Sequence, residues 1–344
     1  MLKTCLFISV LFIVSCGSGD SELSTDDDTT EKTSVDITNQ VESTTETDDS
    51  NPEDSTEQTN NDNPDSEPSS GNGSVSYVYE QNFNGDNIPA NFALENSTYG
   101  DGNNELQCYT HGQVFMRDGK IVLRAQERSA VCPNEISDYA SGMVRIQDLE
   151  VRPGQYIETR IKFSPYNPNN QAGLWPAFWF SSWVPRDDQP LGWPAGGEVD
   201  VFEVQSGGFT DKVNQGIHYM NPDKSKDKSI SEMFLSTNGF VERPLPQDHV
   251  SVDISDEWHT YGLSYCVGGP LKFTIDQKVS TAIQVPQTLS PSPFNYPLKG
   301  AKFNLAVGGG NGWNPMPENG IFPGGEVELD YIRVSSQPPA YAKC

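Results

Sequence analysis

The sequence predicts an all-β domain over residues 76–344, most economically one curved sandwich of two antiparallel sheets, and three observations predict it. Short alternating or β-branched runs recur between Gly, Pro, Asn and Asp breakers. No amphipathic helical window of any length and no internal repeat interrupts them. Roughly 265 residues suffice for one substantial core, so a second domain is not required. The runs Val114–Met116, Lys120–Ala125 and Gln155–Phe163 come first, then Gly216–Tyr219, Thr260–Cys266 and Leu271–Ile275. Lys302–Val307 and Glu326–Val334 close the series. Strand side chains alternate faces, so runs of this kind place one face on a core and the other outward.

Ahead of this domain the composition changes twice. Residues 1–16, MLKTCLFISVLFIVSC, carry Lys3 and then an apolar run too short to span a bilayer, which reads as an export signal. Its end, Ile13-Val-Ser-Cys16, resembles the lipobox of bacterial lipoproteins. That implies lipidation of Cys16 and an exported, membrane-anchored protein, on the outer membrane or cell surface; a plain signal peptide is the alternative. Residues 17–75 hold 17 acids, one lysine (Lys32) and almost no large apolar side chain. Such a segment cannot offset its ordering entropy by burial and is expected to be a solvated acidic linker, spanning on the order of 40 Å.

The net charge is −26, from 48 acids and 22 bases. Leaving out the linker's 17 acids, Lys32 and Lys3 leaves 31 acids against 20 bases, so the folded part is acidic too. Nucleic acid is excluded as a partner on this balance, and a membrane is met only through the N-terminal lipid. No nucleotide, haem or redox motif is present, and nothing demands an oligomer, so a monomer without a catalytic cofactor is expected. Four cysteines lie in the domain, without CxxC spacing, which argues against zinc. In an exported protein one or two disulfides are the natural reading. Sequence proximity favours Cys108–Cys132, leaving Cys266–Cys344; free buried thiols are the alternative.

Residues 196–204, GGEVDVFEV, concentrate the chemistry. Glu198 and Asp200 share one strand face and Val199 and Val201 the other. Plain alternation would send Glu203 to the apolar face, and a β-bulge at Val201–Phe202 would return it beside the other acids. Two carboxyls on one face can hydrolyse a glycosidic bond: with retention at about 5–5.5 Å separation, with inversion at about 6.5–9.5 Å, and sequence leaves both open. Asp200 between them can orient the nucleophile and oppose ionisation of the acid. An ordinary wet edge strand is the competing reading, but it leaves unexplained the tryptophans just upstream. Trp175, Trp179 and Trp193 offer indole faces on which the C–H faces of sugars stack.

Glu198-Val-Asp200-Val-Phe-Glu203 resembles the ExDxxE active-site strand of glycoside hydrolase family 16. Further blocks match those of bacterial laminarinases in order: Asn103–Thr110, Tyr139–Met143, GLWPAFWF, GIHY, DEWHTYGL, NLAVGG and Val327–Val334. The resemblance spans about residues 80–335 and implies a β-jelly-roll sandwich with a concave glycan-holding face. It implies Glu198 as nucleophile, Glu203 as acid/base and Asp200 between them, on a polysaccharide such as a laminarin-type β-1,3-glucan. It also places Trp175, Trp179, Trp193, Asn104, Glu105, Arg145 and His218 around the substrate; a core histidine is the alternative for His218. Relatives using the same trio cleave mixed-linkage glucans or galactans, and some that have lost the glutamates only bind glucan. The family's structural calcium implies Asp330 as a ligand, although Gln81 and Asn82 stand where acids are usual.

Overall fold

In Tyr156-Ile-Glu-Thr-Arg-Ile-Lys-Phe-Ser-Pro165 the odd positions Ile157, Thr159, Ile161 and Phe163 are buried, while Glu158, Arg160 and Lys162 are partly exposed. This period of two, repeated strand after strand, builds the domain. The computed structural model describes residues 76–344 apart from 134, 168–170, 182, 184, 187–188, 191–192, 194–195, 205–212, 221–233, 238–256, 286–291, 310–313 and 318–319. They belong to the compact unit Ser70–Cys344. Cys16 and residues 1–75, including the signal and linker, lie outside the described residues.

Two stacked sheets form a jelly-roll sandwich. Across the first, the order is Phe234–Thr237, Asn214–Met220, Glu198–Glu203, Leu174–Ser181, Ala301–Val307, Met143–Ile146 and Phe92–Leu94. The second runs Lys278–Ile283, Leu271–Ile275, Trp258–Ser264, Tyr156–Pro165, Gly325–Ser335, Lys120–Val131, Ile136–Ser141 and Gln107–Tyr109. Tyr77–Gln81 adds to Gly325–Ser335, and Val114–Arg117 to Lys120–Val131. Pairing is antiparallel except between Gln107–Tyr109 and Ile136–Ser141. No α-helix occurs among the described residues.

The core lies between the sheets. Val199, Val201, Phe202, Ile217 and Phe303 meet Ile157, Ile161, Tyr261, Leu263 and Phe273 in one apolar cluster. Phe202 and Tyr261 meet across the gap as tilted rings with centroids 4.5 Å apart. On the outer face of the second sheet, Arg117, Arg124 and Lys162 pair with Glu326 and Glu328. Trp258 sits on that outer face too, under the cations of Lys120, Arg160 and Lys162, and not in the core.

Disulfides join Cys108 to Cys132 and Cys266 to Cys344, with Cα–Cα distances of 5.7 and 5.2 Å. The first ties Gln107–Tyr109 to the far end of Lys120–Val131. The second anchors the last residue of the chain beside Trp258–Ser264.

Candidate active site

The strand Glu198–Glu203 lies between Leu174–Ser181 and Asn214–Met220, and its register carries the site. Against Leu174–Ser181, Asp200 faces Trp179 while Phe202 faces the next residue, Phe178, so Val201 is one residue too many. Against Asn214–Met220 the ladder steps from Asp200–Gly216 to Glu203–Asn214. This is the β-bulge that alternation required. Val199, Val201, Phe202 and Val204 all turn into the core. Glu198, Asp200 and Glu203 all line a cleft of about 420 Å³ on the opposite face, within the usual range for a ligand site.

Residues directly opposite on neighbouring strands form transverse rows on this face. One row runs Gly216, Asp200, Trp179, Lys302, Arg145. The next runs His218, Glu198, Ser181. A third runs Asn214, Glu203, Ala177, Asn304, Met143. Where a side chain is small, at Gly216 and Ala177, room is left above the acids.

Each tryptophan has a defined tie. Trp175 donates its indole N–H to Glu203 Oε1 at 2.8 Å, and Trp179 donates to Asn304 Oδ1 at 2.7 Å. Trp193, 54% exposed, hydrogen-bonds Glu198 from the rim. Glu105 also lines the cleft and accepts from Gln107 Nε2 at 2.8 Å and from Asn103 Nδ2 at 3.3 Å. Asn104 is exposed, with a left-handed φ of 57°, and stands outside the cleft lining, which takes its neighbour Asn103 instead. Arg145 stands three strands from the acids, paired to Glu95 at 2.5 Å and stacked over Tyr99.

Burial raises all three acids. Burial, and next the charge of Glu203, push Glu198 above the ordinary glutamate range, with Lys302 and the Trp193 bond pulling it back. Asp200 is raised by burial and by both glutamates. Glu203 is raised by burial, against which the Trp175 N–H acts, and Glu105 adds to the rise. Three carboxyls in one dry pocket cannot all ionise, so their protons leave in steps belonging to the group. His218 places Nε2 3.6 Å from Glu198 Oε1 and 3.5 Å from Asp200 Oδ2, and burial lowers it to about 4, so it is neutral near neutral pH.

Glu198, Asp200 and His218 each bring an oxygen or nitrogen atom within 4.8 Å of one another, so Asp200 and His218 flank the Glu198 carboxyl closely. Asp330 is different. Its carboxylate pairs with Arg160 at 2.8 Å and Lys120 at 3.9 Å, and Asn82 Oδ1 accepts from Arg333. Two side-chain cations already balance Asp330, so these residues do not fit a calcium ion, which seeks uncommitted oxygens.

Sequence reasoning missed Lys302, Tyr99, Ser181 and Asn304. The signal for two of them was present: in Ala301-Lys-Phe-Asn-Leu-Ala-Val307, Lys302 and Asn304 share the face opposite Phe303 and Leu305.

Fold and site together define an all-β sandwich with a tryptophan-lined cleft built around three carboxyls. No family model matches the chain. A glucan endo-1,3-beta-glucosidase A1 of Niallia circulans is 29% identical over 282 residues, 76% of this chain and 38% of that protein. A glucan endo-1,3-beta-glucosidase of Cryptopygus antarcticus is 26% identical, over 74% of this chain and 90% of that one. The chain thus spans well under half of the first relative and most of the second. Among solved structures, the laminarinase catalytic domain of Thermotoga maritima superposes with a TM-score of 0.60 at 24% identity, covering 77% of this chain and 99% of that one. LamAcat of Zobellia galactanivorans gives 0.57 at 21%, over 76% and 97%. These share the fold.

Proposed function

We propose that the chain is a retaining endo-glycosidase that hydrolyses internal β-1,3-glucosidic bonds of laminarin-type β-glucans. The observation that carries this reading is the bulged strand, which gathers Glu198, Asp200 and Glu203 on one face of a tryptophan-lined cleft. The relatives named as glucan endo-1,3-beta-glucosidases support the substrate class.

In this mechanism a glucan lies along the cleft against Trp175, Trp179 and Trp193. Glu203, kept protonated by burial, gives its proton to the departing glycosidic oxygen. Glu198 attacks the anomeric carbon as a carboxylate and forms a glycosyl ester. Glu203, now ionised, takes a proton from water, whose oxygen attacks the same carbon and releases Glu198. Asp200 and neutral His218 flank Glu198 and fix its orientation. Residues 1–16 and 17–75 suit a lipid anchor at Cys16 and a tether that presents a monomeric domain to an insoluble or surface-bound glycan.

The test is reducing-end release from laminarin, lichenan, barley β-glucan, agarose and mucin-type galactans, with Glu203→Gln as control. Rapid Glu203-dependent release from laminarin supports the reading. Release confined to a galactan keeps the trio and overturns the substrate, and glucan binding without release makes the chain a binding module.

A further inference from the structure

We infer that Lys302 is a positioning residue for this trio: its buried ammonium stands at the Glu198 end of the cleft, favours the ionised, attacking form of Glu198 and fixes the plane of Trp179. The inference rests on the glycosidase reading above.

Lys302 is 5% exposed, an unusual burial for a lysine. Its strand neighbours Ala301 and Phe303 enter the core, so Lys302 faces the cleft side, level with Trp179 on one flank and Arg145 on the other. The ammonium donates to Ser181 Oγ at 2.6 Å and to the Gly300 carbonyl at 3.1 Å. It also lies 4.2 Å from the centroid of the Trp179 ring. Three N–H donors therefore meet two oxygens and one π face. Ser181 is the residue directly opposite Glu198, which puts the charge beside that glutamate. Gly300 has a φ of 69°, and a Cβ there would lie 2.6 Å from the Ser181 carbonyl oxygen. Only glycine lets the chain turn so tightly under the ammonium.

A buried ammonium is costly unless a negative charge balances it. The groups facing Lys302 are few. From Glu198–Glu203 they are Glu198 and Asp200, which favour its charge; from Met143–Ile146 it is Arg145, which opposes it. Leu174–Ser181 offers only the uncharged Ser181 and Trp179. Arg145 is itself engaged by Glu95. Lys302 and the Glu198–Asp200 pair therefore favour one another's charged forms, against the burial that raises both acids and lowers the lysine. Glu203 lies elsewhere: it is level with Ala177, four residues from Ser181 along the strand, or about 13 Å. Its neighbours are an indole N–H and Glu105, without a cation. Burial raises both glutamates, and the Lys302 charge acts against that rise at Glu198 without a counterpart at Glu203.

The discriminating readout is the pH profile of kcat/KM, whose acidic limb reports ionisation of the nucleophile in the free enzyme. The full chain is compared with Lys302→Met, Lys302→Arg and Ser181→Ala on laminarin, with thermal unfolding of each. The acidic limb of Lys302→Met is expected to move up by about one pH unit or more, so that below the limb kcat/KM falls about tenfold or more, while activity converges on wild type at alkaline pH. Lys302→Arg restores the wild-type limb, and Ser181→Ala moves it the same way by less. A loss uniform in pH, with the limb unmoved, overturns the inference. If Lys302→Met does not fold, an unmoved limb in Ser181→Ala overturns it equally. A wild type silent on every glycan sinks the glycosidase reading and this inference together, whereas an active wild type with an unmoved limb sinks only the inference.

Discussion

Gln215 Nε2 donates to the carbonyl oxygen of Val201 at 2.8 Å. Val201 is the residue that drops out of register with both neighbouring strands, so a side chain reaching up from the core supplies the hydrogen bond that the ladder lacks. Gln215 also reaches the Thr274 carbonyl, and Ser280 donates to its Oε1. Gln215→Leu would leave these groups unmet inside the core. The expected cost is about 1–3 kcal/mol of stability. Thermal unfolding reads that loss, and initial rates on laminarin should fall further than stability alone accounts for, because Glu203 follows the bulge.

Glu203→Gln keeps the shape of the cleft and removes the proton donor. Turnover should fall by about 10²–10⁴-fold with KM nearly unchanged, since protonation of the leaving oxygen belongs to the transition state. Initial-rate kinetics on laminarin would show it. A variant that loses affinity and keeps turnover would assign Glu203 to binding.

Asp200→Asn should stabilise the domain at neutral pH while reducing activity. The sign follows from the direction of the shift. Asp200 is held well above its ordinary value of 3.8 in the folded chain, so its contribution to stability is fully present below 3.8 and is lost as pH rises. Removing the ionisable group removes that loss. Thermal unfolding as a function of pH should therefore show a gain in Tm at neutral pH that shrinks on acidification. A gain that grows on acidification would contradict the burial account.

Trp175→Phe keeps the ring and deletes the N–H that reaches Glu203. That bond stabilises the Glu203 carboxylate and lowers its pKa, so its loss should move the basic limb of the kcat/KM profile upward, by about one pH unit. An unmoved basic limb would indicate that Trp175 serves stacking alone.

The catalytic strand was legible because acids and β-branched residues alternate within it, and the one break in alternation marked the bulge. The runs around Leu271–Ile275, Lys302–Val307 and Glu326–Val334 were legible for the same reason. Short or irregular strands such as Gln107–Tyr109 and Met143–Ile146 were not, since three or four residues cannot display a period. Trp258 sits on the outer face, where three cations cover its ring, and a tryptophan in a strand gives no sign of that in sequence. Lys302 escaped notice because a lysine in a strand ordinarily points to solvent, and only the sheet order brings it under Trp179. Asp330 shows the opposite limit: a matched residue type carried no information about Arg160 and Lys120, which come from other strands to neutralise it.

The central claim is that the bulge brings two glutamates close enough for double displacement. The most direct test is the anomeric configuration of the first product, followed by proton NMR during early hydrolysis of laminarin by the full chain. Double displacement predicts that the β-anomer forms first and the α-anomer grows in only by mutarotation. Initial release of the α-anomer would mean a single inverting displacement, and would contradict the assignment of Glu198 as nucleophile.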